Sequence, residues 1–227
     1  MSDGEIRCVG LVKTYNIGQP NEFRALRGVD LTISLGEYVS IVGPSGSGKS
    51  TLLNLISCLD SPTEGSVYIE GVDISSLSDS KKARLRREKL GFVFQQFNLI
   101  HSMTAFENIE MPMRFMGLKR GERRGRVEDL LSLMGLEDKF SNRPSELSGG
   151  QQQRIAIARA LANNPLIILA DEPTGNLDTR TGASIMGLLL RLNREEGKTL
   201  VMVTHDERIA GKANREVHIR DGKIRVD

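Results

Sequence analysis

One run of residues, Gly43-Pro44-Ser45-Gly46-Ser47-Gly48-Lys49-Ser50, constrains this chain more than any other feature. It fits the pattern GxxxxGK[ST], follows the apolar run Tyr38–Val42, and opens a helical pattern over Lys49–Leu59. A strand that feeds a glycine loop at a helix start is built to hold phosphate. Glycine lets successive backbone N–H groups turn inward without a Cβ clash, and the helix adds the positive end of its dipole. Lys49 is placed to reach the outer phosphates and the Ser50 hydroxyl to hold Mg²⁺, with Thr51 as a further nucleotide contact. A merely glycine-rich turn would need neither the strand before it nor the helix after it.

A second segment carries the complementary chemistry. Leu166–Ala170 is an unbroken apolar run of strand length that ends in Asp171 and Glu172. Such runs suit parallel strands buried on both faces, whose C-terminal ends border the crevice where α/β folds bind ligands. Asp171 there can help hold Mg²⁺, and Glu172 can orient or deprotonate an attacking water. Leu200–Thr204 repeats the pattern and ends at His205, beside Asp206. Together the two segments describe a Mg-dependent nucleoside triphosphatase.

The remaining pattern places these segments in a fold. Val29, Leu31, Ile33 and Leu35 alternate with polar residues as in a half-buried strand, and with Ile6–Tyr15 and Val67–Gly71 they suggest a small antiparallel sheet. Ser78–Lys89, Ala105–Met113 and Arg126–Met134 read as helices. Val217–Arg220 and Lys223–Val226 flank Asp221-Gly222, a hairpin signal. Strands alternating with helices predict an α/β phosphate-loop core with a parallel sheet and an N-terminal antiparallel β subdomain. Between Phe92 and Pro165 the strand signal gives way to helix-rich sequence, which predicts an inserted helical subdomain. The expected organisation is one nucleotide-binding domain over 1–227, with 1–94 and 165–227 as core and about 95–164 as the helical lobe.

Composition closes off other classes. With 39% hydrophobic and 26% charged residues the chain is neither fibrous nor disordered. A net charge of +2 and the absence of Trp argue against nucleic acid as a partner. The 2 cysteines, Cys8 and Cys58, make no CxxC motif and suit a reducing compartment. No stretch approaches the ~18–20 apolar residues of a membrane span, so a cytoplasmic chain that reaches a membrane only through a partner is expected. Two basic segments, Lys81–Lys89 and Lys119–Arg126, read as solvated helix faces, with anionic lipid headgroups as the next choice.

Between the phosphate loop and the strand that ends in Asp171 and Glu172 lies Leu147-Ser148-Gly149-Gly150-Gln151, followed by the helix-forming run Gln152–Leu161. A hydroxyl and exposed N–H groups at a helix start make a second anion site. Here the chain resembles the ATP-binding cassette (ABC) family, whose hallmark is LSGGQ. The resemblance covers nearly the whole chain. It implies that Ser148, Gly149, Gly150 and Gln151 serve the ATP of a partner subunit, in a head-to-tail homodimer around two ATP. It implies a role for Gln95, with Gln96 as the alternative, in joining the core to the helical lobe and touching Mg²⁺ and water. By the same resemblance Asp178 belongs to a D-loop, though Gly175-Asn176 stands where Ser-Ala is commoner. His205 would contact the γ-phosphate, and Tyr15 would stack on adenine unless it is a core tyrosine.

The family implies an ATPase subunit peripheral to the inner face of the cell membrane, driving an integral-membrane permease. Phe94–Leu99, Thr104–Ile109 and Arg143–Leu147 resemble the branch serving lipoprotein release, macrolide export and envelope mechanotransmission. The competing readings are a cell-division-type cassette ATPase with a membrane partner and a soluble cassette ATPase unconnected with transport. Substrate and direction of transport are not written in this chain, because the membrane partner would read them.

Overall fold

The computed structural model describes residues 5–225. Val226, assigned by the sequence pattern to the last strand, lies outside the described residues. The N-terminal sheet has the order β2-β1-β4-β5, from β1 (Glu5–Tyr15), β2 (Phe23–Ser34), β4 (Glu64–Ile69) and β5 (Val72–Asp73). Its β1 pairs are antiparallel. The second sheet runs β10-β9-β3-β8-β7-β6. It joins β3 (Tyr38–Val42), β6 (Leu90–Val93), β7 (Ile167–Asp171), β8 (Thr199–Val203), β9 (Arg215–Arg220) and β10 (Lys223–Arg225). All its pairs are parallel except β9 with β10.

The apolar runs work because every side chain on them has a core to enter. Along β7, Ile167 and Leu169 face one cluster, while Ile168 and Ala170 face the other. Along β8, Val201 and Val203 separate in the same way from Leu200 and Met202. This is the period of two along a strand, buried on both sides. One cluster holds α1 (Lys49–Ile56) and the inner face of the antiparallel sheet; the other holds the helices of the lobe and α6 (Thr179–Glu196). Burial of each large aliphatic side chain contributes about 1.5–3 kcal/mol.

After β6 the chain passes through α3 (Ala105–Phe115), α4 (Arg120–Met134) and α5 (Gly149–Leu161) before β7. Thr104 caps α3 with a reciprocal bond to Glu107. Ile155, Ala156, Ile157 and Ala158 of α5 are all buried, so this helix is surrounded by protein over its middle turns. It packs on α3, α4, α6 and β6. Helix α2 (Asp79–Lys89) lies outside, with no buried residue.

Several boundaries differ from the sequence pattern, each for a local reason. Helix α1 stops at Ile56 because Cys58 adopts φ 58, outside the helical region. Helix α4 starts at Arg120, before the apolar periodicity begins at Val127. Asp221 and Gly222 both have positive φ, 51 and 74, as the tight turn between β9 and β10 requires. That turn matters to the site, since Gly222 N–H donates to the Ser47 carbonyl at 3.0 Å.

Candidate active site

The glycine loop runs from the end of β3 into α1, with Gly48 as the helix N-cap. Gly43 has φ 152, and a Cβ there would stand 2.1 Å from the Ile219 carbonyl oxygen of β9. Only glycine lets the loop pass so close to the neighbouring strand. Lys49 is 8% exposed, and its Nζ donates to the carbonyls of Gly43 and Pro44 at 2.9 and 2.8 Å. The ammonium is therefore held over the mouth of the loop. Ser45, Gly46, Gly48, Ser50 and Thr51 border the same cleft, of about 420 Å³. The buried Ser47 Oγ has no hydrogen-bond partner among the described residues. An orphaned hydroxyl inside a glycine loop fits a loop built to receive acceptor oxygens.

Asp171 ends β7 opposite the first turn of α1, and Ser50 Oγ donates to its Oδ1 at 3.2 Å. A hydroxyl and a carboxylate side by side form a hard oxygen donor set of the kind Mg²⁺ takes. Burial pushes the Asp171 carboxyl up; the Ser50 hydrogen bond opposes this, the Glu172 charge adds to it, and the Lys49 charge opposes it. Glu172 follows in a left-handed conformation, φ 44, rarely adopted by a residue with a side chain. Its N–H still reaches the Val203 carbonyl at 3.0 Å, and Gly175 N–H returns to its carbonyl at 3.0 Å. The strained turn aims the carboxylate into the cleft, where His205 also stands. His205 Nδ1 lies 3.0 Å from Glu172 Oε1.

Gln95 stands two residues past β6, against the segment after Glu172. A Cβ on Gly175 would sit 2.8 Å from Gln95 Nε2, and Asn176 Nδ2 donates to the Gln95 carbonyl at 2.9 Å. Gln96 is exposed. The geometry thus ties Gln95 to the carboxylate segment. Tyr15 does not line the cleft; its hydroxyl bonds Asp60 Oδ2 at 3.0 Å, and Lys13 Nζ lies 4.8 Å from its ring centroid. Its cross-strand partner is Phe23, which is 53% exposed and does line the cleft, with Ala25. The sequence pattern passed over Phe23 because it lies before the alternating stretch of β2.

The LSGGQ segment is the N-terminus of α5. Ser148 Oγ accepts from Gln151 N–H at 3.4 Å, and Gln151 Oε1 accepts from Ser148 N–H at 2.9 Å. This reciprocal cap leaves the earlier N–H groups of the helix facing outward. Gly150 packs against α6, where a Cβ would meet Thr181 Cγ2 at 2.4 Å. Asp178 caps α6, accepting from the N–H groups of Arg180 and Thr181 at 3.1 and 3.0 Å. Among the described residues, 148–151 and Asp178 contribute nothing to the lining of the Lys49 cleft.

The basic segments are largely occupied within the chain. Arg84 pairs with Glu88, Lys89 with Glu70, Arg123 with Glu110 and Arg124 with Glu128. Arg86 and Arg87 donate to the carbonyls of Cys58 and Phe115. Among the described residues no helix is long and apolar enough to cross a membrane.

A phosphate loop at the end of one parallel strand, facing a histidine past the end of the adjacent strand β8 and carboxylates at the end of β7 beyond it, defines a nucleotide-binding α/β protein. The family model described as ABC transporter matches residues 26–175. The chain belongs to this family. It is 54% identical over 223 residues to an uncharacterized ABC transporter ATP-binding protein, MJ0796, of Methanocaldococcus jannaschii, covering 96% of this chain and 94% of that protein. It is 51% identical over 222 residues to the macrolide export ATP-binding/permease protein MacB of Nitrosomonas europaea. That match covers 98% of this chain but 34% of MacB. A solved dimeric structure of a post-hydrolysis state of the MJ0796 cassette, bound to ADP and Pi, superposes with TM-score 0.90. It shares 52% identity and covers 97% of both chains. The expected α/β cassette fold is borne out by this likeness.

Proposed function

We propose that this chain is the Mg-dependent ATP-hydrolysing subunit of an ABC transporter, acting as a head-to-tail homodimer around two ATP. The observation that carries the reading is a division of labour within one chain. Lys49, Ser50, Glu172 and His205 gather at one cleft, with Asp171 hydrogen-bonded to Ser50 behind it, while the capped LSGGQ helix start adds nothing to that cleft. A second chain, turned head to tail, would bring its Ser148, Gly149, Gly150 and Gln151 to the open side of the nucleotide.

In this reading the loop N–H groups and Lys49 bind the phosphates, Phe23 borders the base within the cleft, and Tyr15, its cross-strand partner just outside the lining, would stack on adenine. Ser50, Asp171 and Gln95 would hold Mg²⁺, which supplies charge neutralisation along the phosphate chain when bound. Glu172 orients and deprotonates the attacking water, and His205 fixes the carboxylate and faces the γ-phosphate. Asp178 shapes the dimer contact. Catalysis then consists of positioning and electrostatic stabilisation.

Through its helical lobe the dimer would drive an integral-membrane permease from the cytoplasmic side, in export, lipoprotein release or envelope mechanotransmission. Support comes from relatives named as macrolide export ATP-binding/permease proteins. The test is purification from solubilised membranes. A polytopic membrane chain should co-purify, and the complex should release phosphate from MgATP. A chain that turns over no ATP, or that never associates with a membrane protein, would overturn the reading.

A further inference from the structure

Gln153 lies one turn into α5 and is fully buried, at 0% exposure. Its Nε2 donates to the Pro173 carbonyl at 2.5 Å and points at the Phe94 carbonyl at 3.4 Å. Pro173 directly follows Glu172, and Phe94 directly precedes Gln95. One carboxamide therefore touches three separate pieces of chain: the helix that begins with LSGGQ, the segment after β6 and the segment after β7.

The orientation of that amide is fixed by its surroundings. Both neighbours are acceptors, so flipping the group would set its oxygen against two carbonyls. The Oε1 atom in turn has no partner among the described residues. A buried amide that satisfies its donors at the expense of its acceptor is held in place by what those donors do. The same helix grips the segment after β6 a second time. Arg159 donates to the carbonyls of Asn98 and Phe97 at 2.5 and 2.9 Å, at residues whose φ values are 49 and 57. Asn176 closes the triangle by donating to the Gln95 carbonyl.

We propose that Gln153 is a positioning residue for hydrolysis, whose carboxamide locks the LSGGQ helix to the backbone on either side of the reacting centre and thereby sets Gln95 and Glu172. A shift of α5 then carries Pro173 and Phe94 with it. The strained turn at Glu172 has little freedom to absorb the movement. Gln153 bonds neither Lys49 nor Ser148, and the Ser148–Gln151 cap of α5 is independent of it, so its loss should act on turnover before nucleotide binding or dimer closure. This inference rests on the ATPase reading above.

The test is steady-state kinetics of Gln153→Met, which keeps the side chain's length and removes both donors. Gln153→Asn is the second variant; it keeps a carboxamide one methylene shorter, which cannot span the two carbonyls. In either variant kcat should fall at least tenfold and towards about 10²-fold, the effect of ångström-scale misplacement, with KM for MgATP changed less than about twofold. Combined with Glu172→Gln, Gln153→Met should still form the ATP-bound dimer seen by sedimentation. An unchanged kcat in a folded variant overturns the proposal. So does loss of the dimer in the double variant while Glu172→Gln alone dimerises, because Gln153 would then support the helix as a whole. Failure of Glu172→Gln alone to dimerise would instead count against the shared-site reading, leaving the kcat and KM comparison to judge Gln153.

Discussion

Glu172 and His205 meet across the ends of two adjacent parallel strands, with Oε1 3.0 Å from Nδ1. On its other side lies Gly175, which leaves the space beside Oε2 open; a Cβ there would lie 3.4 Å from that oxygen. The pairing holds a carboxylate that its own backbone strain, φ 44, already aims at the cleft. Glu172→Gln retains the shape and an acceptor but cannot take a proton. Turnover should fall by about 10²–10⁴-fold while ATP binding persists, so that an ATP-bound dimer accumulates. Rapid filtration of labelled ATP together with phosphate release reads both quantities. Full activity in Glu172→Gln would remove the general base from the account.

Lys49 is the cation held at the mouth of the glycine loop. Lys49→Ala removes a charged donor facing the phosphates, an interaction of about 1.5–3 kcal/mol, or roughly 10–100-fold in ATP affinity. Calorimetric titration with ATP measures it. Equal affinity in the variant would mean that the loop binds phosphate without its lysine.

Asp171 predicts a trade between stability and activity. Burial raises its folded-state pKa above the unfolded value of about 3.9. Between those two values the native state binds more protons than the unfolded state, so stability falls as pH rises through that window and the loss persists above it. Asp171→Asn should therefore raise the melting temperature of the nucleotide-free protein at neutral pH. The advantage should shrink as pH falls through that window to the unfolded value, and ATP turnover should be lost at every pH. A melting temperature that falls at neutral pH would contradict the burial argument.

Much of this was legible in the sequence, for physical reasons that differ from element to element. The phosphate loop declares itself because a Gly-rich turn, a lysine and two flanking elements must coincide. Strands β7 and β8 show because burial on both faces leaves no room for a polar residue. Helix α6 was not foreseen: Thr179, Arg180 and Thr181 in its first turn are polar, and its apolar positions start only at Ile185. Nor could Gln153 be read as more than one glutamine among three, since its two carbonyl partners are distant in sequence. Phe23 took its place beside the nucleotide cleft through cross-strand pairing with Tyr15, which no local pattern encodes.

The contact of α5 with α6 is tight enough to test by paired substitution. Glycine lowers helix stability relative to alanine by up to about 1 kcal/mol, so Gly150→Ala would stabilise an isolated helix. In this protein the added Cβ meets Thr181 Cγ2 at 2.4 Å, and overpacking of this kind costs about 1–3 kcal/mol. Gly150→Ala should lower the melting temperature. Gly150→Ala with Thr181→Ser, which deletes that methyl group, should recover it. Independent, additive effects of the two changes would show that the residues do not touch.

The central claim is that a complete active site needs two chains, one giving Lys49 and Glu172 and the other Ser148. It is tested most directly by measuring MgATP turnover per subunit across a dilution series, with the oligomeric state followed by sedimentation in the same buffer. Turnover per subunit should rise with protein concentration and level off as the dimer saturates, as mass action requires. Ser148→Arg should bind ATP as the wild type does, yet show neither the rise nor the dimer. Turnover independent of concentration in a protein that sediments as a monomer throughout would contradict the shared site.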